Sequence, residues 1–323
     1  MLNYRHMSMI QIKKAGVRLV KVSAAQANRR IDNFIIRELA KVPKTRIYQM
    51  LRRGEVRVNG GRVKQDYRLQ PGDQVRIPPV HYRESDKKTI PNKRLIDLLQ
   101  DSVIFENREL IVLNKPAGIA VHSGSGQAVG VIETLRHLRP ADADLQLAHR
   151  LDRDTSGCLL IAKNIDCLRW LHDCLRDGRI EKQYFALLQG NLDGRMLEVS
   201  VPVRKNVARS GERMTAATEQ GKSALTRFIR DRTYRGATLA RVQINTGRTH
   251  QIRVHASYIK HPIAGDGKYG DREFNRKMRK LGLKRLFLHA ASLKLPAFPG
   301  RQKPLAIDAP LPAELAGFLL GLS

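Results

Sequence analysis

The 323-residue sequence predicts an α+β protein in two parts: a small basic module of strands and two helices, then a larger domain on a mixed or mostly antiparallel sheet. Three observations lead there. Strand-like runs outnumber helical ones, and the two do not alternate strictly as they would in a doubly wound fold. A charged stretch without periodicity, PPVHYRESDKKTIPNKR, separates the parts as a linker. The chain is also long enough for about two domains.

In order along the chain, residues 1–17 read as a basic, flexible arm, and VRLVKVS reads as a strand. Ile31, Phe34, Ile35 and Leu39 recur at helical spacing until Pro43 breaks the run. A second helix turns Ile47, Met50 and Leu51 inward and ends at Gly54. EVRVNGGRV carries alternating valines and then Asn59-Gly60, a tight hairpin turn. Pro71-Gly72-Asp73 turns the chain again before QVRIPP. After the linker, assigned to residues 80–100, the second domain runs from 101 to 323. VIFENRELIVLNKPAG gives strand, turn, strand, and further strands are expected at QYFALLQG, ALTRFIRD, TLARVQIN and FLHAASLKL. Helices are expected at VIETLRHL, CLRWLHDCLRDG and PAELAGFLLGL.

Charge narrows the function classes. Lys and Arg number 59 against 30 Asp and Glu, a net charge of +29, and the first hundred residues hold 23 basic against 8 acidic side chains. Solubility needs far less charge. A polyanion is the expected partner, nucleic acid first and an anionic membrane surface second. No apolar run is long enough to span a bilayer, and MLNYRHMSMIQIKKAG lacks the apolar segment of a secretory signal, so a cytoplasmic protein is expected. The three cysteines, Cys158, Cys167 and Cys174, do not suggest a disulfide framework. Cys167 and Cys174 fall on the stripe of Leu168, Leu171 and Leu175 and are expected in the core. No heptad or apolar edge argues for a dimer, so a monomer is expected.

HRLDRDTSG, residues 149–157, is the densest chemical signal. Asp152 lies between Arg150 and Arg153, with Asp154 beyond, then the small residues Thr155, Ser156 and Gly157, suited to a turn beside a ligand. A carboxylate among guanidiniums stays ionised near neutral pH, where it can act as base or nucleophile. Local charge alone leaves either acid eligible, and an exposed salt-bridge loop remains a rival. His149, His250, His255, His261 and His289 invite a metal reading, but no HExxH or paired CxxC accompanies them, so structural hydrogen bonds or RNA contacts are preferred.

Two resemblances sharpen this reading. Residues 18–79, with Arg29, Arg30, Lys44, Arg46, Arg52 and Arg53 around two helices and a turn, resemble an S4-type RNA-binding module. Four motifs follow in order: LIVLNKPAGIAVH, HRLDRDTSG, EKQYFAL and TGRTHQIRVH, with HPIAGDGKYG and RLFLHA after them. Together they resemble the RNA pseudouridine synthases that modify large ribosomal RNA, over nearly the whole chain. That resemblance implies an α+β catalytic domain with a mixed, largely antiparallel sheet and a cleft across it. It implies isomerisation of uridine within RNA at several positions, with no cofactor or metal because nothing is added or lost. It assigns Asp152 as the catalytic carboxylate, whether as a nucleophile at C1′ or C6 or as a base at the ribose, and leaves Asp154 a bystander. Arg253 is its implied ion-pair partner, and Tyr184 the implied ring beside the target base. Arg150 is implied to fill the place of the flipped base. His149, Leu151, Thr155, Arg248, His250, Gln251 and Lys115 are expected to contact RNA. Lys268, Tyr269 and Gly270 are expected in loops lining its cleft. A non-catalytic RNA-binding or ribosome-assembly factor on the same fold is the alternative.

Overall fold

A computed structural model describes residues 16–39, 42–80, 90–123, 129–142, 144–207, 213–218, 220–300 and 303–322. The chain forms two compact units divided near residue 88. The expected flexible arm and most of the expected linker lie outside the described residues.

The first unit opens with β1 (Arg18–Lys21), then α1 (Ile31–Glu38) and α2 (Lys44–Arg53). The hairpin β2 (Arg57–Val58) and β3 (Gly61–Arg62) and the strand β4 (Gln74–Ile77) complete a sheet in the order β1-β4-β2-β3. Both hairpin turn residues have positive φ, Asn59 at 50° and Gly60 at 79°, as a primed turn requires. Gly54 stops α2 in the left-handed region at φ 69°. Ile31, Phe34 and Ile35 of α1 meet Ile47 and Met50 of α2 over Val56, Val75 and Ile77, a closed apolar core.

The second unit starts inside the stretch assigned to the linker. Residues 93–100 form α3 (Lys93–Gln100), capped by the Asn92 side chain, which accepts from Leu95 N at 2.8 Å. Leu95 and Leu99 give this helix a packed face against the large core, so these residues belong to the second unit rather than to a spacer. Then come β5 (Val103–Glu106), β6 (Leu110–Lys115), α4 (Val131–Leu138), β7 (Gln146–Leu147), β8 (Ser156–Ala162) and α5 (Ile165–Arg176). These lead into β9 (Glu181–Gln189), β10 (Met196–Val199), the hairpin β11 (Val203–Val207) and β12 (Arg213–Ala217), and β13 (Thr226–Tyr234). The chain ends with β14 (Ala237–Ile244), α6 (Gln251–Tyr258), α7 (Arg272–Lys280), β15 (Leu288–Leu295), β16 (Leu305–Asp308) and α8 (Ala313–Leu320).

The main sheet runs β10-β13-β14-β9-β15-β8-β6-β5, with β7 on β8 and β16 on β15. Every pairing is antiparallel except β15 with β8. The mixed, largely antiparallel sheet is thus as expected. Alternation along β9 buries Tyr184, Ala186 and Leu188 in one cluster and Phe185 and Leu187 in another. Cys167 and Cys174 pack in the core as expected, and so does Cys158, whose thiol burial pushes up to about 12.

One local reading is corrected. Ser156 and Gly157 do not form a turn; they open β8. Gly157, at φ 110°, lies opposite Ala290 of β15, and a Cβ there would collide with the Ala290 backbone. The glycine permits the single parallel contact of this sheet among the described residues, and that contact sets where the preceding loop ends.

Candidate active site

Three neighbouring parts of the sheet bring the motifs together. The 149–155 loop leads into β8, Tyr184 lies on β9, and α6 follows β14. Because β9 pairs with both β14 and β15, and β15 with β8, residues far apart in sequence converge at the middle of the sheet.

Asp152 is about three-quarters buried and accepts from Arg253 Nη1 at 3.3 Å. Arg253 does more than meet Asp152. Its Nε and Nη2 grip both oxygens of Asp266, each at 2.8 Å, a bidentate fork. The Asp266 side chain is fully buried, and its Oδ1 also accepts from Lys268 N and Tyr269 N. Burial acts to lower the Arg253 pKa, yet the fork to Asp266, aided by the charge of Asp152, holds it above the ordinary arginine value. Burial acts to raise Asp266, and Arg253 reverses this, holding the carboxyl below its usual range. Arg253 is therefore a fixed positive post between two carboxylates. Sequence reading placed Lys268, Tyr269 and Gly270 in this loop but missed Asp266. The available signal was a single acid between glycines directly after the apolar PIA run.

His250 stands at the head of α6 with φ 55°, a left-handed conformation that a non-glycine residue adopts at a cost of about 1 kcal/mol. Its Nδ1 lies 2.8 Å from the Tyr269 hydroxyl, and its Nε2 lies 3.7 Å from Asp152 Oδ1. The Tyr269 oxygen already accepts from Thr215 N at 3.0 Å, so the Tyr269 proton is directed to His250 Nδ1. Burial lowers the His250 pKa and outweighs the opposing charge of Asp152. The neutral imidazole then turns an Nε2–H toward Asp152. The ring of Tyr269 also lies 5.0 Å from the guanidinium of Arg253.

A pocket of about 70 Å³ joins Asp152, Tyr184, Arg150, Leu151, Thr155, Arg248 and Arg253. It opens beside a cleft of about 530 Å³ that again includes Asp152, Tyr184, Arg150 and Arg248. A cavity of about 760 Å³ borders Arg253 and Asp266 but contains neither Asp152 nor Tyr184, so chemistry rather than size selects the site. Tyr184 is buried, and burial together with the charge of Asp152 raises its pKa, which keeps the hydroxyl neutral. Thr155 is 2 % exposed, and its Oγ1 is the one buried side-chain polar atom without a partner among the described residues. Arg150 is exposed at the rim.

Several expected RNA contacts have other work. Lys115 is fully buried, and its Nζ donates to the carbonyls of Pro116, Ile119 and Arg153 at 2.7, 3.0 and 3.1 Å. Burial pushes its pKa down to about 7, with the charge of Arg285 adding to the effect, while one carbonyl per N–H favours the ammonium. Lys115 ties the 149–155 loop to the end of β6 and cannot reach RNA. Lys115→Met strips the Pro116 and Ile119 carbonyls of this donor, while Arg153 O keeps its bond from Gly118 N, and is expected to cost about 3 kcal/mol, read by urea denaturation. Gln251 is equally committed, to Thr246, Arg248 N, Leu225 O and Thr226, and Leu151 packs in the core. His149 Nε2 accepts from Leu160 N at 3.1 Å; burial pushes it down to about 4. His255, His261 and His289 are held by Thr226 and Val201 O, by Gln189 O, and by Ser156 and Ala309 O. Asp154 pairs with the exposed Arg153. In the first unit Arg30 pairs with Asp32 and Arg46 with Glu55, whereas Lys44, Arg52 and Arg53 are exposed and Arg29 is half-buried.

Comparison with known proteins identifies the two domains. Residues 109–258 match the RNA pseudouridylate synthase family, and residues 29–75 match the S4 domain. The chain belongs to the RNA pseudouridine synthases, a family of isomerases, and carries an S4 domain ahead of the synthase domain. It is 48% identical over 303 residues to the ribosomal large subunit pseudouridine synthase C of Salmonella typhi, covering 93% of this chain and 95% of that one. It is likewise 48% identical over 299 residues to the protein of that name from Escherichia coli K12, covering 92% and 93%. Among solved structures, human RNA pseudouridylate synthase domain containing 4 superposes with a TM-score of 0.59 at 26% identity, covering 71% of this chain and 95% of that one.

Proposed function

We propose that this protein isomerises uridine to pseudouridine at several positions in large-subunit ribosomal RNA, with Asp152 as the catalytic carboxylate. The observation that carries this reading is the chain Asp152–Arg253–Asp266, which holds one largely buried carboxylate, still open to the cleft, at a fixed place beside Tyr184. The substrate class is supported by the shared name of relatives aligned over more than nine-tenths of this chain. The reading is of a cytoplasmic monomer working on RNA; separately, none of the described helices is long and apolar enough to cross a membrane.

In the reaction the C1′–N1 bond breaks, the uracil turns, and C1′ rejoins at C5. The proton lost from C5 is balanced by one gained at N1. The uridine must leave its stack to reach Asp152. Arg150 has no partner among the described residues, and its planar guanidinium takes the vacated place in the RNA. Tyr184 stacks on the flipped base, with a neutral hydroxyl close to the reacting centre. The unpartnered Thr155 hydroxyl supplies a hydrogen bond to the nucleoside in the small pocket. Arg248 lines the rim toward the phosphates. In the S4 domain, the free cations Lys44, Arg52 and Arg53 serve as backbone contacts, with Arg29 beside them. Arg30 and Arg46 contribute through ion pairs that shape that surface.

The test is conversion of unmodified large-subunit RNA by the purified protein, scored by carbodiimide-dependent stops in primer extension. New stops at discrete uridines are expected. Protein that binds the RNA yet leaves every uridine unchanged would point instead to an assembly factor.

A further inference from the structure

Lys182 is a buried cation that the reaction above does not use. It lies two residues before Tyr184 on β9, and strand alternation turns both side chains to the same face. Both line the 530 Å³ cleft that includes Asp152. Lys182 is 7 % exposed, and its ammonium, with no hydrogen-bond or ion-pair partner among the described residues, keeps a narrow contact with solvent at the cleft wall. Lysine is almost never buried to that degree without one. Lys115 shows the ordinary solution, with three carbonyls around its ammonium. Burial pushes the Lys182 pKa down, with no neighbouring carboxylate opposing it. The cleft therefore holds a largely desolvated positive charge, open only to the cleft, that an incoming anion would satisfy.

The surroundings define the anion. Arg150, Arg176 and Arg248 line the same cleft, and His172 joins Arg176 one helical turn away on α5. Asp152 is the cleft's single acid and already faces Arg253. Arg176 is shared with the exposed Asp173 and Asp177. An RNA substrate carries one kind of anion, the phosphodiester. We infer that Lys182, with Arg176 and Arg248, forms a subsite for the phosphodiester adjoining the flipped uridine. The inference rests on Asp152 and Tyr184 receiving that uridine, because the cleft begins at those two side chains. Lys182 acts as a binding residue that fixes the ribose–phosphate while the base turns over.

A buried charge kept for a ligand carries a signature opposite to that of a structural residue. Lys182→Met removes the unpaired charge while keeping the chain length. It is expected to unfold at the same or a higher temperature than wild type, yet to bind RNA about tenfold more weakly. The slope of log affinity against log salt should flatten by about one unit. Loss should fall on KM more than on kcat, and Lys182→Arg should restore most of it. Binding is measured on full-length protein with an RNA fragment carrying a converted uridine. Matched fragments bear a single neutral methylphosphonate on either side of that uridine. One of these should weaken wild-type binding and add nothing to the Lys182→Met defect. Unchanged affinity and salt slope in Lys182→Met would overturn the subsite, as would independent, additive losses. The methylphosphonate arm needs only wild-type protein, so equal binding of all three fragments also overturns it. Residual turnover in Asp152→Asn would sink the catalytic assignment without altering any of these binding readouts.

Discussion

Asp152→Asn is expected to abolish uridine isomerisation, by at least about ten-thousandfold, while RNA affinity stays within a few-fold of wild type. Asparagine keeps the shape of the side chain and an oxygen to accept from Arg253 Nη1, which in the wild type donates to Asp152 at 3.3 Å. It removes the negative charge, and with it both basicity and nucleophilicity. Binding survives because lysine and arginine contacts to phosphates supply most of the affinity. The measurement is single-turnover release of tritium from RNA labelled at uridine C5, the atom that loses its hydrogen. Asp154→Asn is the control. That side chain pairs with the exposed Arg153, away from the Asp152–Arg253–Asp266 chain, and should keep turnover within a few-fold. Were the 149–157 segment merely a charged surface loop, the two variants would behave alike.

Asp266→Ala is expected to produce the largest loss of stability, about 3–5 kcal/mol, because it leaves the buried Arg253 guanidinium without its fork. Activity should fall with it, since Arg253 is then free to swing toward Asp152 or away. Arg253→Lys should not rescue geometry, because an ammonium cannot span both Asp266 oxygens. The pair also sets an acid limit. The folded Asp266 carboxyl titrates below its unfolded value of 3.8. On acidification the unfolded chain therefore takes up this proton first. The contribution is complete above that value and is lost as pH falls through the lower, folded one. Urea midpoints measured against pH should show this loss in wild type and a flatter acid limb in Asp266→Ala. An unchanged midpoint in the variant at neutral pH would refute the role given to the pair.

How much of this was legible in the sequence depended on where each element met solvent. The helices of the S4 domain stood out because Ile31, Phe34 and Ile35, and Ile47, Met50 and Leu51, mark one face against charged neighbours. α6 gave no such pattern. Residues 251–256 are all buried, so TGRTHQIRVH read as a motif and not as a helix. The pairing of Arg253 with Asp152 came from resemblance, and spacing alone does not give it. Asp266 escaped because its partner lies thirteen residues away, across a loop. Lys115 was read as an RNA contact from its place in the LIVLNKPAG motif. Its better signal was position, two residues after Leu113 on the buried face of LIVLNK. Lys182 carries the same signal beside Tyr184. In a protein of net charge +29, charge by itself cannot separate cations that meet RNA from cations that hold the fold. Periodicity within strands can.

The most direct test compares pseudouridine maps of large-subunit RNA from cells with the intact protein, without it, and with Asp152→Asn as the sole copy. A discrete set of pseudouridines should be present in the first and absent from both others. If those positions persist in cells carrying Asp152→Asn, Asp152 is not the catalyst. If they persist without the protein, large-subunit RNA is not its substrate.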